Sequence, residues 1–305
     1  MPSPSPPPTD TLSGEAAIAP QTSHIPSLLA AWAALLLASD LDSILGNLAG
    51  FDLPSWTALA RAAAIGILAL AIPRTPRLRH ARGFILALAA MTAGGWAVQA
   101  IQQHVAWFSS APRAAAMFAR LLLYLIPTAL VALTLIRSGL SRRDLFLTRG
   151  DLRAPTALPL IRGARWSVVA PALLLVVSAG LITQLWIVSH ASRHLHPLAL
   201  LWALPPALLF AIVNASWEEF CFRCVLLARG LRAFSPAHAI AASSLLFGLA
   251  HYGGHPSGFS GVAMSAFFAW ILARSIVDTR GWTWAWLLHA TQDVIIFSMV
   301  SMTNV

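Results

Sequence analysis

The chain has 305 residues, of which 58% are hydrophobic and only 10% charged, with a formal net charge of +9. Soluble domains carry about 25% charged residues, so this composition excludes an ordinary soluble core and points to a polytopic membrane protein. All of the positive charge is arginine, and it clusters in short loops between apolar runs, which suits topology and anionic headgroups rather than nucleic acid.

Residues 1–26, opening PSPSPPPTD, lack the basic start and adjacent apolar core of a signal peptide and read as a disordered tail. Ser27–Gly50 is the first apolar stretch, interrupted by Asp40 and Asp42, so it either spans or only dips in. Clearer spans follow at Trp56–Ile72, Gly83–Ile101, Ala114–Ile136 and Trp166–Val188. His196–Arg229 reads as one long or broken helix with Pro205 and Pro206 near its start. Pro236–Tyr252, Phe259–Val277 and Trp282–Val300 complete the set. The expected fold is an all-α polytopic transmembrane bundle of about eight or nine spans. It divides into the tail, N-terminal helices over 27–188, and a core over 197–300.

Arginines fill alternate loops: Arg74, Arg77, Arg79 and Arg82, then Arg137 through Arg165, then Arg223, Arg229 and Arg232, then Arg274 and Arg280. The intervening loops hold little, with Asp40, Asp42 and Asp52, then Arg113, then Arg193. By the positive-inside rule the arginine loops are cytoplasmic. With nine spans in a cell membrane the N-terminus is inside and the C-terminus outside, while losing the first span would move only the N-terminal tail. The segment 141–155, SRRDLFLTRGDLRAP, mixes charge with Leu and Phe and suits a helix or turn at the cytoplasmic interface.

The chain has three glutamates, and two of them, Glu218 and Glu219, stand side by side in an apolar helical run. Acids in hydrocarbon are costly and face a bundle interior or a polar cavity. Arg223 follows Glu219 at i,i+4, so the two can pair, while Glu218 is turned about 100° away towards a cavity. His251 ends Phe247-Gly-Leu-Ala-His251, and His289 and Asp293 share a face at i,i+4. Counted from the arginine end, Glu218, His251, His289 and Asp293 lie about 18, 22, 12 and 18 Å up their helices. Acids and histidines from three helices thus converge, the arrangement that activates water and stabilises an oxyanion.

Plainer readings stand beside this one. The Glu–Arg pair alone suits a structural network, Phe247 reads as packing, and a lone His251 or His289 reads as a satisfied core histidine. His190, His194, His196, His238 and His255 read as loop or interface residues, and Trp282, Trp284 and Trp286 as an interfacial belt. Cys221 and Cys224, spaced CxxC within a helix, read as small packing residues rather than a redox or metal pair.

EExxxR at Glu218–Arg223, FxxxH at Phe247–His251 and HxxxD at His289–Asp293, in that order, resemble the CaaX protease and bacteriocin-processing family. That group includes the type II CaaX prenyl endopeptidases. The resemblance covers Pro197 to Val300 and implies an intramembrane endopeptidase. It implies that Glu218 polarises water with help from His251, that Glu219 and Arg223 support it, and that His289 and Asp293 stabilise the oxyanion. The position of Asp293 is often Asn in the family. The cofactor stays open between none and a divalent metal such as zinc held by Glu218, His251, His289 and Asp293. The expected substrate is a membrane-associated or lipid-anchored protein or peptide, cut near the cytoplasmic half of the bilayer. A scaffold or self-immunity protein and a proton-coupled transporter are the rival readings.

Overall fold

The computed structural model describes residues 25–302 apart from 55, 76–77, 137, 190–196 and 255–256. The expectations for the tail before Ile25, for Arg77, Arg137 and Arg193, and for His190, His194, His196 and His255 fall outside the described residues. The described chain is helical, and its only bridge between extended segments pairs Pro155 with Arg165.

The interrupted first stretch becomes two helices, α1 (Ile25–Ala38) and α2 (Leu41–Ala49), bent by 52° at Ser39 and Asp40. Arg61 on α3 (Trp56–Ala71) ties the bend together, its Nη1 donating to the Ser39 carbonyl and to Asp42 Oδ1, each at 2.7 Å. The long α4 (Arg79–His104) is followed by the short α5 (Trp107–Ser110). α6 (Arg113–Leu123) and α7 (Leu125–Leu133) are two parts of one apolar run divided at Tyr124. After a turned segment come α8 (Trp166–Ser189) and α9 (Pro197–Glu218). The chain then enters a π-helical segment, Glu219–Leu227, which runs into α10 (Ala228–Ala233). α11 (Pro236–Leu249), α12 (Gly258–Thr279) and α13 (Thr283–Met302) complete it. Ser235 caps α11, its side chain accepting from the His238 N–H, with Pro236 in the first turn where its missing donor costs nothing.

Among the described residues, four helical stretches are long and apolar enough to cross a membrane, or five if the bent α1–α2 pair is one span. α3 and α11 are apolar but shorter. The protein is therefore an all-helical membrane protein. Its arginine loops join α3 to α4, α7 to α8, α10 to α11 and α12 to α13, so the long helices run between an arginine-rich end and an arginine-poor end.

Two apolar clusters hold the site from either side. In the first, Leu35 of α1, Ile65 of α3 and Phe84, Ile85 and Leu88 of α4 pack with Phe222, Val225 and Leu226 of the π segment and with Phe247 of α11. In the second, Leu145, Phe146, Leu158 and Trp166 pack on Leu231, Ile240, Leu272, Ile276 and Leu288. The segment expected at the interface, 141–155, is a series of turns clasped over the α12–α13 loop. Its Asp151 N–H donates to the Thr279 carbonyl at 2.7 Å, and the Trp284 indole donates to the Leu152 carbonyl at 3.2 Å. Just beyond it, Asp278 Oδ2 accepts from the Ala157 N–H and the Trp166 indole. Gly150 takes a positive φ of 72°, and its backbone lies so close to Gly281 that a Cβ on Gly281 would sit 2.4 Å from the Gly150 nitrogen.

Candidate active site

Glu218 is the last residue of α9 and Glu219 the first of the π segment, so the two acids straddle a change of helical pitch. π turns bond i→i+5, are rare, and recur at functional sites. Glu219 and Arg223 are both fully buried, and Arg223 Nη1 lies 3.1 Å from Glu219 Oε1. The guanidinium also sits 4.1 Å from the centroid of the Phe247 ring, a cation–π contact that offsets part of its desolvation. Phe247 is packing, as expected, and it also touches the chemistry. Its ring meets Arg223, Phe222, His251 and His289.

His289 on α13 joins the pair of acids. Its Nδ1 lies 2.7 Å from Glu219 Oε1, and its Nε2 lies 3.2 Å from Glu218 Oε2 and 3.8 Å from Asp293 Oδ2. A carboxylate only accepts, so the Nδ1 contact places a proton on Nδ1 and leaves Nε2 facing the other two acids. His251 Nδ1 lies 2.8 Å from the Phe247 carbonyl, which likewise fixes its proton on Nδ1 and leaves Nε2 free.

Five of the six expected residues are thus in mutual contact. His251 approaches through the Phe247 ring, 4.3 Å between centroids, and by lining the same cavity as Glu218 and Asp293. Asn214 had drawn no expectation. Its Nδ2 donates to Asp293 Oδ2 at 3.1 Å, and its Oδ1 accepts from the Trp217 indole at 3.1 Å. Trp217 in turn stacks on Tyr124, 4.5 Å between centroids and 1° from parallel. The available signal was spacing: Asn214 precedes Glu218 by four residues, so they share a helix face.

Two cavities meet at the cluster. One, of about 520 Å³, is polar and includes Asp40, Arg61, Gln99, Arg120, Tyr124, Asn214, Glu218 and Asp293 in its wall. The other, of about 260 Å³, is apolar and lies among α8, α11, α12 and α13, with Leu181, Met264, Phe268 and Ile271 in its wall. His251, Asp293 and Ile296 line both.

Several side chains outside the cluster have structural places. Cys221 and Cys224 are free and fully buried. Trp286 is more than a belt residue, since its indole donates to Ser216 Oγ on α9 at 3.0 Å and fixes α13 to the helix of the acids. Arg229 is buried against Gly83 and donates to the Thr134 carbonyl at 2.6 Å. The zinc set does not fit. Among the described residues no three His, Cys, Asp or Glu side chains are grouped to hold a metal. His289 Nδ1 is committed to Glu219, which leaves that ring only Nε2 to offer.

The fold and the cluster together define an all-helical membrane protein with a buried acid–histidine cluster beside a polar cavity. Residues 200–295 match the family model Rce1-like, described as Type II CAAX prenyl endopeptidase Rce1-like, and this supports the CaaX protease and bacteriocin-processing family for the chain. The match takes in α9 from Leu200, the π segment, α10 to α12 and most of α13, and so every residue of the cluster. No curated protein and no solved structure matches the chain.

Proposed function

We propose that the protein is an intramembrane endopeptidase of the cell membrane, with eight or nine spans and a cytoplasmic N-terminus. Glu218 is its general base. The observation that carries this reading is the division of labour between adjacent acids. Glu219 is buried against Arg223 and His289, while Glu218 lines a polar cavity with His251 and Asp293.

In this mechanism a water in the polar cavity gives a proton to Glu218, helped by the free Nε2 of His251. The resulting hydroxide attacks the scissile carbonyl, forming the C–O bond of a tetrahedral intermediate. The oxyanion is met by the protonated Nε2 of His289, whose position is fixed by the bond from Nδ1 to Glu219. When the C–N bond breaks, Glu218 returns its proton to the leaving amine. The apolar cavity suits a hydrophobic side chain or lipid anchor beside the scissile bond, so the substrate is a membrane-associated protein or peptide. Metal chemistry enters no step, because the donors do not fit a metal.

Glu218→Gln tests the assignment. It keeps size and hydrogen bonding but removes the base, and cleavage of a membrane-anchored peptide should fall by about 10²–10⁴-fold with the melting temperature unchanged. Full cleavage by that variant would remove Glu218 from the mechanism.

A further inference from the structure

Six of the helices that wall the polar cavity do so from one kind of half, and the arginine-facing half of α9, with Phe210, Asn214, Trp217 and Glu218, supplies its floor. α1 contributes Ala38, Ser39 and Asp40 at its C-terminal end, and α3 contributes Ala58 and Arg61 at its start. α4 contributes Met91 to Gln99 in its second half, and α6 contributes Met117 and Arg120 ahead of Tyr124. α11 contributes Leu246, the turn after it contributes Ala250, His251 and Gly254, and α13 contributes Asp293, Ile296 and Phe297. Each of these six is the half of its helix that points away from the arginine loops, because those loops join α3 to α4, α7 to α8, α10 to α11 and α12 to α13. The rim and the floor give the same direction. Asp40, Gln99 and Arg120 are exposed, while Glu218 and Asp293 are buried at 8% and 6% exposure. The mouth therefore lies at the arginine-poor face.

Depth agrees. Glu218 lies about 18 Å above the arginine end, past the middle of a hydrocarbon core about 30 Å thick. Water reaching it from the arginine side would have to cross the second apolar cluster, where Leu227, Ala228, Leu272 and Ile276 are fully buried.

We infer that the polar cavity opens to the extracytoplasmic side and that the enzyme takes its substrate there, as an exported, membrane-anchored polypeptide whose scissile segment enters from the outer leaflet. This rests on the proposed peptidase reading for the word substrate, and on the positive-inside rule for the side. It moves the reaction from the cytoplasmic half expected from the sequence to the outer half.

Single cysteines read the side directly. Gln99→Cys and Arg120→Cys lie at the rim, and Arg149→Cys lies in an arginine loop. The native Cys221 and Cys224 are fully buried, so the parent protein is the unlabelled control. A membrane-impermeant, positively charged methanethiosulfonate should modify both rim cysteines in intact cells and Arg149→Cys only in inverted vesicles. Rim cysteines modified only in inverted vesicles, or from neither side, would overturn the inference. Cleavage by the parent and by Glu218→Gln is measured in the same membranes with two reporters, one presenting its cleavable segment outside and one inside. Glu218-dependent cleavage of the outside reporter is expected. Glu218-dependent cleavage of the inside reporter alone would overturn the inference but leave the peptidase standing. Outside labelling with cleavage unaffected by Glu218→Gln would overturn the peptidase assignment and the substrate claim with it, while keeping the cavity's orientation.

Discussion

Asn214 shows how much a buried carboxylate depends on its neighbours. Asp293 stands 3.8 Å from His289 Nε2, near Glu218, and its hydrogen bond from a neutral donor is the one from Asn214. Removing that donor leaves a buried acceptor unsatisfied, at a cost of about 1–3 kcal/mol. Asn214→Ala should therefore cut kcat about tenfold or more, with a smaller change in KM, because the residue positions Asp293 and does not itself hold substrate. An unchanged kcat would make the Asn214–Asp293 bond incidental. The donor arrangement makes a second residue-scale prediction. With Nδ1 of His289 bound to Glu219 and no three-ligand group present among the described residues, a strong chelator should leave cleavage intact, and elemental analysis should find no stoichiometric metal. Stoichiometric zinc that is lost together with activity in His251→Ala would reverse this.

At the scale of elements, the clasp over the α12–α13 loop sets where α13 begins, and α13 carries His289 and Asp293. Gly281→Ala would drive a methyl group into the Gly150 backbone, an overpacking that costs about 1–3 kcal/mol. The melting temperature in detergent should drop by a few degrees, with reduced cleavage, whereas Gly139→Ala, also at positive φ but with open space around it, should perturb cleavage far less. The same clasp has an acid limit. The Ser141 N–H and hydroxyl donate to Asp144, and Arg232 pairs with it, so the Asp144 carboxyl is held below its usual value of 3.8. A carboxyl with a depressed pKa contributes stability above its unfolded value and loses it as pH falls through the folded one. Melting measured from pH 6 down to pH 3 should therefore show a loss below about pH 4 that is smaller in Asp144→Asn. The residue is about one third exposed, so solvent screens the pair and the difference should be modest. The sequence could mark the charge of 141–155 but not where it docks, because that is set by backbone bonds to Thr279 and Trp282, more than a hundred positions later. The π segment was invisible as well: Glu219–Leu227 reads as an ordinary apolar helix, and in the fold it packs against α4 and α11.

At the scale of the molecule, the three motifs were legible because each charged or ionisable group in an apolar helix demands a partner, and the motif residues could partner one another. The contribution of the first half of the chain was not legible in this way. α4 and α6 carry no motif, yet Phe84 and Leu88 support the π segment and Tyr124 completes the cavity wall. The two halves meet most directly at the Tyr124–Trp217 stack, and Trp217 holds Asn214, which holds Asp293. An offset aromatic pair is worth about 0.5–1.5 kcal/mol beyond the area it buries. If that stack positions the site, Tyr124→Phe keeps the ring and should keep nearly full cleavage, while Tyr124→Ala should lower kcat about two- to tenfold. The paired variants separate ring from hydroxyl. Equal losses in both would assign the effect to the phenol oxygen in the polar cavity, and no loss in either would confine the working site to residues 200–295.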